Sequence, residues 1–302
     1  MPSNSADFGN SSRPVPSGQI PRRAYGKNGI KLSIIGFGGI AVMDAATDDA
    51  ARLVGEAVER GVNYFDVAPT YGNAEIMLGP ALAPYRKNVF LACKTTQRTR
   101  EQAAAEFEAS LEHLRTEYFD LYQFHNLMEV EKDVDVVFGK GGAIELFREA
   151  RKDGRIRHIG FSTHSTTAAM AAMDRFDFDS VMFPVNFASW LKNDFGATIL
   201  AKAIEKGLTP LALKGMARRR WPKDDPGKKT YDKCWYEPIS DPVEAALALR
   251  WTLSRPVAAA VTPGHDSLVR LAMDIAANFK PITPPEEQRL RTLALGLEAI
   301  FT

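Results

Sequence analysis

Asp66, Tyr71, Lys94 and His125 are four polar residues whose types and spacing could carry out one proton transfer. Three of them end short apolar runs: Asn63-Tyr64-Phe65-Asp66, Phe90-Leu91-Ala92-Cys93-Lys94 and Leu121-Tyr122-Gln123-Phe124-His125. Tyr71 follows the first run by a few residues. An ionisable group at the end of a buried strand is costly unless it has a partner or a task, so three such endings predict a common meeting place. A phenol with an ordinary pKa of about 10 gives up its proton reluctantly near neutrality. A neighbouring ammonium favours the phenolate and makes the phenol a better donor. Tyr71 would then supply a proton beside Lys94, and Asp66 would keep Lys94 charged and aimed. His125 would donate a hydrogen bond to a substrate oxygen or join a proton relay. Such a group protonates an oxygen as negative charge develops on it. That suits carbonyl reduction, provided something delivers hydride to the carbon. Taken singly, an Asp–Lys pair or a barrel histidine has a structural explanation; the joint placement points to chemistry.

These positions need a scaffold of parallel strands. From residue 32 an apolar run of five to eight residues is followed by a helical segment, eight times. The runs are Leu32–Gly38, Val62–Val67, Val89–Lys94, Asp120–His125, Ile156–Ser162, Ser180–Asn186, Leu208–Lys214 and Val257–Thr262. Helical spacing occupies Asp48–Arg60, Arg100–Leu114, Ile144–Lys152, Ala197–Lys206, Pro242–Ser254 and Ser267–Ala276, and Pro285–Ile300 reads as an extra C-terminal helix. Apolar strands alternating with helices imply parallel strands covered outside, and eight units fit an α/β fold of the (β/α)8 TIM-barrel type. An open dinucleotide-binding sheet is the competitor, but Gly36-Phe37-Gly38-Gly39 lacks the final spacing of G-x-G-x-x-G. Strand alternation turns Asp66, Lys94 and His125 inward and Phe65, Cys93 and Phe124 outward, which makes Cys93 a packing residue. Upstream, Asn28-Gly29 between strand-like residues predicts an N-terminal β-hairpin. Two long connections, Asn126–Ala143 and Gly215–Ser240, are expected on the catalytic face. The second holds Arg218-Arg219-Arg220, which is either a solvated loop run or a clasp for an anionic ligand. Its Trp221, Tyr231, Trp235 and Tyr236 either wall an apolar or sugar-binding pocket or pack the loop.

The composition, 45% apolar and 25% charged, suits one large domain over 19–302 after a Ser-, Asn-, Gly- and Pro-rich tail at 1–18, which reads as flexible. With 38 Lys and Arg against 37 Asp and Glu, the charge gives no general pull toward nucleic acid or an anionic membrane. No apolar run approaches the roughly 20 residues a membrane helix requires. Arg22-Arg23 is not followed by the apolar stretch of an export signal. Cys93 and Cys234 form neither a metal-ligand spacing nor a disulfide framework, so a reduced, cytoplasmic setting is expected. His113, His158 and His164 have no metal-ligand partners at workable spacing, and His113 reads as a helix-face residue.

The segment Phe65-Asp66-Val67-Ala68-Pro69-Thr70-Tyr71-Gly72-Asn73-Ala74-Glu75, followed by Leu78-Gly79, resembles the signature of the aldo-keto reductases. Lys94 in Ala92-Cys93-Lys94-Thr95 and His125 in Asp120-Leu121-Tyr122-Gln123-Phe124-His125-Asn126 resemble that family's lysine and histidine. The likeness runs in order over about residues 20–280. It implies a (β/α)8 barrel that reduces an aldehyde or ketone, or oxidises the alcohol, with Tyr71 as general acid or base. NADP(H) is the implied cofactor, with NAD(H) as the alternative, and a small carbonyl or sugar-like molecule the substrate.

The implied cofactor contacts are Gly38, Ser162, Thr163, Asn186, Lys214, Gly215, Met216, Gly264, Ser267, Arg270 and Asp274. Several depart from the family pattern. Ser162 matches the Ser of a Ser-Asn pair that usually holds the nicotinamide carboxamide, but Thr163 replaces its Asn, and Met182 stands where Gln is frequent. Ala212-Leu213-Lys214-Gly215-Met216-Ala217 resembles a Met-Lys-Pro variant, with Lys214 toward the pyrophosphate. Thr262-Pro263-Gly264-His265-Asp266-Ser267-Leu268-Val269-Arg270 resembles the loop that grips the adenosine phosphate. There Ser267 opens a helix suited to an anion, and Arg270 suits a 2′-phosphate or adenine. Met273-Asp274 replaces a usual Glu-Asn pair, and Asp266 would repel a phosphate that it faced. These departures motivate two competing readings: a nucleotide-sensing subunit with little turnover, and sugar epimerase or lyase chemistry with a retained cofactor.

Overall fold

A computed structural model describes residues 18–193 and 195–301. The expected tail therefore lies outside the described residues, apart from Gly18. The chain opens with Arg22–Tyr25 (β1), Ile30–Ser33 (β2), Ile35–Gly38 (β3), Thr47–Glu59 (α1), Tyr64–Asp66 (β4), Ala74–Leu82 (α2), Phe90–Thr95 (β5), Arg100–His113 (α3) and Phe119–Phe124 (β6). It continues with Asp135–Phe138 (α4), Ile144–Lys152 (α5), Ile156–Ser162 (β7), Thr166–Arg175 (α6), Ser180–Pro184 (β8), Phe187–Asn193 (α7), Ala197–Lys206 (α8) and Thr209–Leu213 (β9). It closes with Ala217–Arg220 (β10), Gly227–Thr230 (α9), Tyr236–Pro238 (β11), Pro242–Leu253 (α10), Ala259–Val261 (β12), Asp266–Ala277 (α11) and Pro284–Leu295 (α12).

Eight parallel strands close in the order β12-β3-β4-β5-β6-β7-β8-β9, the expected (β/α)8 barrel. Every residue of β5 and β6 is buried, as a strand between a filled interior and a helical layer requires. Two cores result. The larger lies between strands and helices and takes Phe65, Cys93 and Phe124. The smaller fills the barrel with Tyr64, Ala92, Leu121, Met182 and Leu211. The period of two thus sorts side chains to the two faces as expected.

The β1–β2 hairpin plugs the barrel's N-terminal end: Tyr25 joins the inner core and its hydroxyl donates to Ser180 Oγ at 3.1 Å. Arg23 donates to the carbonyls of Leu253 and Val257 at 2.6 and 2.8 Å, so the second residue of the arginine pair braces the fold. The hairpin turn is four residues long, Gly26 to Gly29, with positive φ at both glycines (62° and 79°), where a two-residue Asn-Gly turn is expected from sequence. The expected first strand, Leu32–Gly38, divides at Ile34. The Ile34 amide donates to Pro21 O (2.9 Å) and the Ser33 amide to Asn63 Oδ1 (2.7 Å), which holds a corner between hairpin and barrel. Helix α2 is hidden in the sequence by Gly79 and Pro80. Gly79 packs so tightly on α3 that a Cβ would lie 2.3 Å from the His113 carbonyl oxygen. The C-terminal helix stops at Leu295, short of the expected Ile300, and the chain turns back with Leu297 and Ile300 buried.

Candidate active site

Asp66 is the last residue of β4, Lys94 the penultimate residue of β5, and His125 directly follows β6. These neighbouring strands bring the three to one place at the barrel mouth. The Lys94 ammonium pairs with Asp66 Oδ1 and donates to Val67 O at 3.2 Å. The second carboxylate oxygen, Oδ2, accepts from Gln123 Nε2 at 3.0 Å and from the Tyr64 hydroxyl at 3.3 Å. Lys94 and Asp66 are only 1% and 2% exposed, and a buried ion pair is tolerable when further hydrogen bonds fill its lone pairs. Tyr71 rides on the connection from β4 to α2, where its amide donates to Ala68 O (3.1 Å) and its carbonyl accepts from the Ala74 amide (3.0 Å). That turn sets the Tyr71 ring centroid 5.6 Å from Lys94 Nζ and 6.0 Å from the His125 ring, to which it stands at 89°.

Burial shapes the acid–base balance. Burial pushes the Tyr71 phenol above its ordinary value; Lys94 pulls it down, while Asp66 and Cys93 add to the rise. The sequence-based expectation weighed Lys94 alone; desolvation is the larger influence, and the net direction for Tyr71 is up. For Lys94, burial alone lowers the pKa, but Asp66 and Tyr71 oppose it and the net direction is up. His125 is lowered to about 3, by burial first and then by Lys94, His164, Arg98 and Lys214. Its backbone is fixed between Thr95 O (2.8 Å) and Arg98 (2.9 Å), while its buried Nδ1 has no partner among the described residues. A neutral imidazole of this kind suits hydrogen bonding, the first of its two expected roles.

Gln123 and Tyr64 were given no role by sequence reasoning. The available signal was parity: each stands two residues before a site residue on the same inward face. Behind β5 a second polar group appears. The buried Glu75 carboxylate accepts from Cys93 Sγ (3.2 Å) and Ser110 Oγ (2.8 Å) and meets His113 Nδ1 at 3.2 Å. Burial, followed by Glu75, pushes the Cys93 thiol well up, in keeping with a packing role. His113 is therefore a partner of a buried carboxylate as well as a helix-face residue.

The residues expected to hold a cofactor lie at the ends of β3, β7, β8, β9 and β12 and, for Ser267, Arg270 and Asp274, on α11. Gly38 donates its amide to Thr262 Oγ1 at 2.9 Å, and a Cβ there would lie 2.6 Å from Thr262 O. The Ser162 hydroxyl oxygen accepts from the Asn126 amide at 2.8 Å, which leaves its own proton to give. The fully buried Thr163 hydroxyl donates to Leu127 O (2.6 Å) and accepts from the Ser165 amide (2.9 Å), bracing two loops. The Asn186 Nδ2 donates to Lys214 O (3.0 Å) and Ala217 O (2.6 Å), and its Oδ1 accepts from the amides of Ala188 and Ser189 (both 3.1 Å), so no polar valence is left over. Met216 packs in the outer core, Gly215 lies against Thr252, and Gly264 lies against Ile40 and Lys233.

Lys214 has a positive φ of 62°, and its ammonium lies 4.5 Å from the Tyr236 ring centre and 5.1 Å from that of Trp235. Burial lowers it to about 8, Cys234 opposing and Lys94 adding, and no carboxylate pairs with it among the described residues. On α11, Asp266 accepts from the Ser267 amide (2.7 Å) and from Arg270 (2.9 Å), while Glu56 takes the other side of the Arg270 guanidinium (2.9 Å). The chain's own carboxylate thus occupies the helix N-terminus where an anion was expected. Asp274, expected to contact the cofactor, pairs with Arg60 at 2.5 Å.

The sequence matches the model of the Aldo/keto reductase family over residues 34–217. The chain belongs to the aldo/keto reductase family, a family of oxidoreductases. It is similar to the "Uncharacterized oxidoreductase YqkF" of Bacillus subtilis, 24% identical over 90% of this chain and 95% of that protein. It is likewise similar to L-galactose dehydrogenase of Arabidopsis thaliana, 26% identical over 86% of this chain and 88% of that one. Among solved structures, the holo form of aldo-keto reductase AKR11C1 from Bacillus halodurans shares its fold with a TM-score of 0.72, at 22% identity over 94% of this chain and 98% of that one.

Above the barrel of this aldo/keto reductase, the 215–240 connection folds as a β10–β11 hairpin with α9. Arg218 pairs with Glu237 (3.1 Å) and Glu244 (3.2 Å), and Arg219 with Glu237 (2.6 Å), so two arginines of the run bind the hairpin together. Lys233 reaches across the mouth to Ala41 O at 3.0 Å. Phe301 turns back onto His164, with ring centroids 4.9 Å apart, and Trp235 stands half exposed beside it. Among the described residues no group of side chains could hold a metal ion, and no helix is long and apolar enough to cross a membrane.

Proposed function

We propose that this aldo/keto reductase moves hydride between a nicotinamide dinucleotide and an aldehyde or ketone, with Tyr71 giving the proton to the carbonyl oxygen. The observation that carries this reading is the buried Asp66–Lys94 pair beside Tyr71 and the neutral His125. A bound dinucleotide would supply the hydride. A phenol of ordinary pKa already holds its proton at neutral pH, and Lys94 steadies the phenolate that remains after transfer. Asp66 keeps the ammonium charged. His125 donates to the substrate oxygen from an uncharged ring, which orients the carbonyl without competing for the proton. In the oxidative direction Tyr71 acts as the base.

For the dinucleotide, the Ser162 hydroxyl is the group proposed to meet the nicotinamide amide, and Lys214 the pyrophosphate, an anion that an ammonium without an ion pair suits. Gly38, Gly215 and Gly264 are the backbone positions proposed to line the dinucleotide site. Arg270 would meet a 2′-phosphate by exchanging Glu56 or Asp266, so NADP(H) should be favoured over NAD(H) only by a small factor. The relation to L-galactose dehydrogenase favours sugar-derived carbonyls among substrates, and the exposed Trp235 offers an aromatic face for them. A cytoplasmic setting belongs to the same proposal, in keeping with the free buried thiols of Cys93 and Cys234. The test is reduced-nicotinamide oxidation by purified protein against a panel of aldehydes, ketones and sugar-derived carbonyls, with NADPH and NADH in parallel. Carbonyl-dependent oxidation is expected. Dinucleotide binding without oxidation across the panel would overturn the reading.

A further inference from the structure

We propose that Tyr64 and Gln123 are positioning residues for proton transfer, acting through Asp66 to hold the Lys94 ammonium beside Tyr71. The inference rests on the function proposed above. Asp66 presents two oxygens to the barrel interior. Lys94 takes Oδ1, while Gln123 Nε2 (3.0 Å) and the Tyr64 hydroxyl (3.3 Å) both donate to Oδ2. With Oδ2 occupied, the ammonium is confined to Oδ1 and to Val67 O at 3.2 Å. Without those two donors it would be drawn toward both oxygens and away from the phenol.

Packing alone does not explain either residue. The Tyr64 ring fills the barrel interior, and a Cβ on Gly36 opposite would lie 2.4 Å from its ring carbon, so the barrel is shaped around that ring. Phenylalanine would fill the same space; the hydroxyl adds only the bond to Asp66. Gln123 is fully buried and its Oε1 has no partner among the described residues. An unsatisfied buried carbonyl is a penalty that a hydrocarbon side chain would not carry. The amide is therefore best accounted for by its Nε2 donation.

The experiment compares wild type with Tyr64→Phe and Gln123→Met for kcat, KM, dinucleotide Kd and the pH profile of carbonyl reduction. Each variant should lose about tenfold in kcat, the scale of one hydrogen bond to a charged group, with KM and Kd nearly unchanged. The alkaline limb, where reduction fails as Tyr71 loses its proton, should move to higher pH, because a displaced ammonium supports the phenolate less. The double variant should fall by less than the product of the two, since both act through Asp66. Unchanged kcat and pH limb in both variants, alongside an active wild type, would overturn the proposal whatever happens to thermal stability. If Tyr64→Phe does not fold, Gln123→Met alone decides between the two outcomes. An inactive wild type would overturn the function itself, a result distinct from inert variants of an active enzyme.

Discussion

The β4–β6 side of the barrel mouth and the β7–β12 side differ in where their polar groups point. On the first side Tyr64, Asp66, Lys94 and Gln123 bond to one another inside the barrel, next to Tyr71 and His125. On the second, Thr163 and Asn186 bond to loop backbone, Asp266 to its own helix and to Arg270, and Asp274 to Arg60. The difference follows from what carries each residue. Strand residues take a direction fixed by the pleat and cannot turn without disturbing two cores. Loop residues must also satisfy the exposed backbone of the turns around them, and a threonine or asparagine there is readily drawn into that work.

Among the tests that set the two sides against each other, the largest effect should come from Lys94→Met. It leaves a buried carboxylate without its countercharge, a loss of about 3–5 kcal/mol in stability. Carbonyl reduction should fall on the order of a hundredfold or more. Denaturant titration and single-turnover kinetics would measure both, with dinucleotide affinity changed little. Loss of dinucleotide binding with the chemical step intact would erase the contrast between the two sides.

Asn186→Ala should act in the opposite sense. Its four hydrogen bonds tie α7 to the segment after β9, so a stability loss of about 1–3 kcal/mol is expected. Amide exchange at Ala188 and Ser189 should quicken, with a secondary weakening of dinucleotide affinity through Lys214. Full stability with dinucleotide binding abolished would give Asn186 a direct ligand role instead.

A smaller effect should be seen with pH. Lys214 is lowered to about 8 by burial, so it is charged below that value and loses its charge as pH rises through it. Dinucleotide affinity in wild type should weaken by a few-fold across that range, and Lys214→Met should be flat there. A pH-dependent loss that survives in the variant would move the anion contact elsewhere.

Much of the barrel is legible in the sequence because each strand is a continuous apolar run, and parity then places Asp66, Lys94 and His125 together. Gln123 and Tyr64 obey the same parity, but a buried polar residue declares its partner only once the neighbouring strand is in register. Asn186, Thr163 and Asp266 were not legible in this way. Their hydrogen bonds run to backbone groups whose positions depend on turns, such as the strained Lys214 with its positive φ. The helix α2 was hidden for a packing reason, since Gly79 is required by its approach to α3.

The central claim is that Tyr71 is the proton donor. Single-turnover hydride transfer, at saturating dinucleotide and carbonyl, would test it most directly in wild type and Tyr71→Phe. The predicted result is a loss of about a hundred- to ten-thousandfold in the chemical step, with the dinucleotide Kd unchanged. Equal rates in the two proteins would contradict the account.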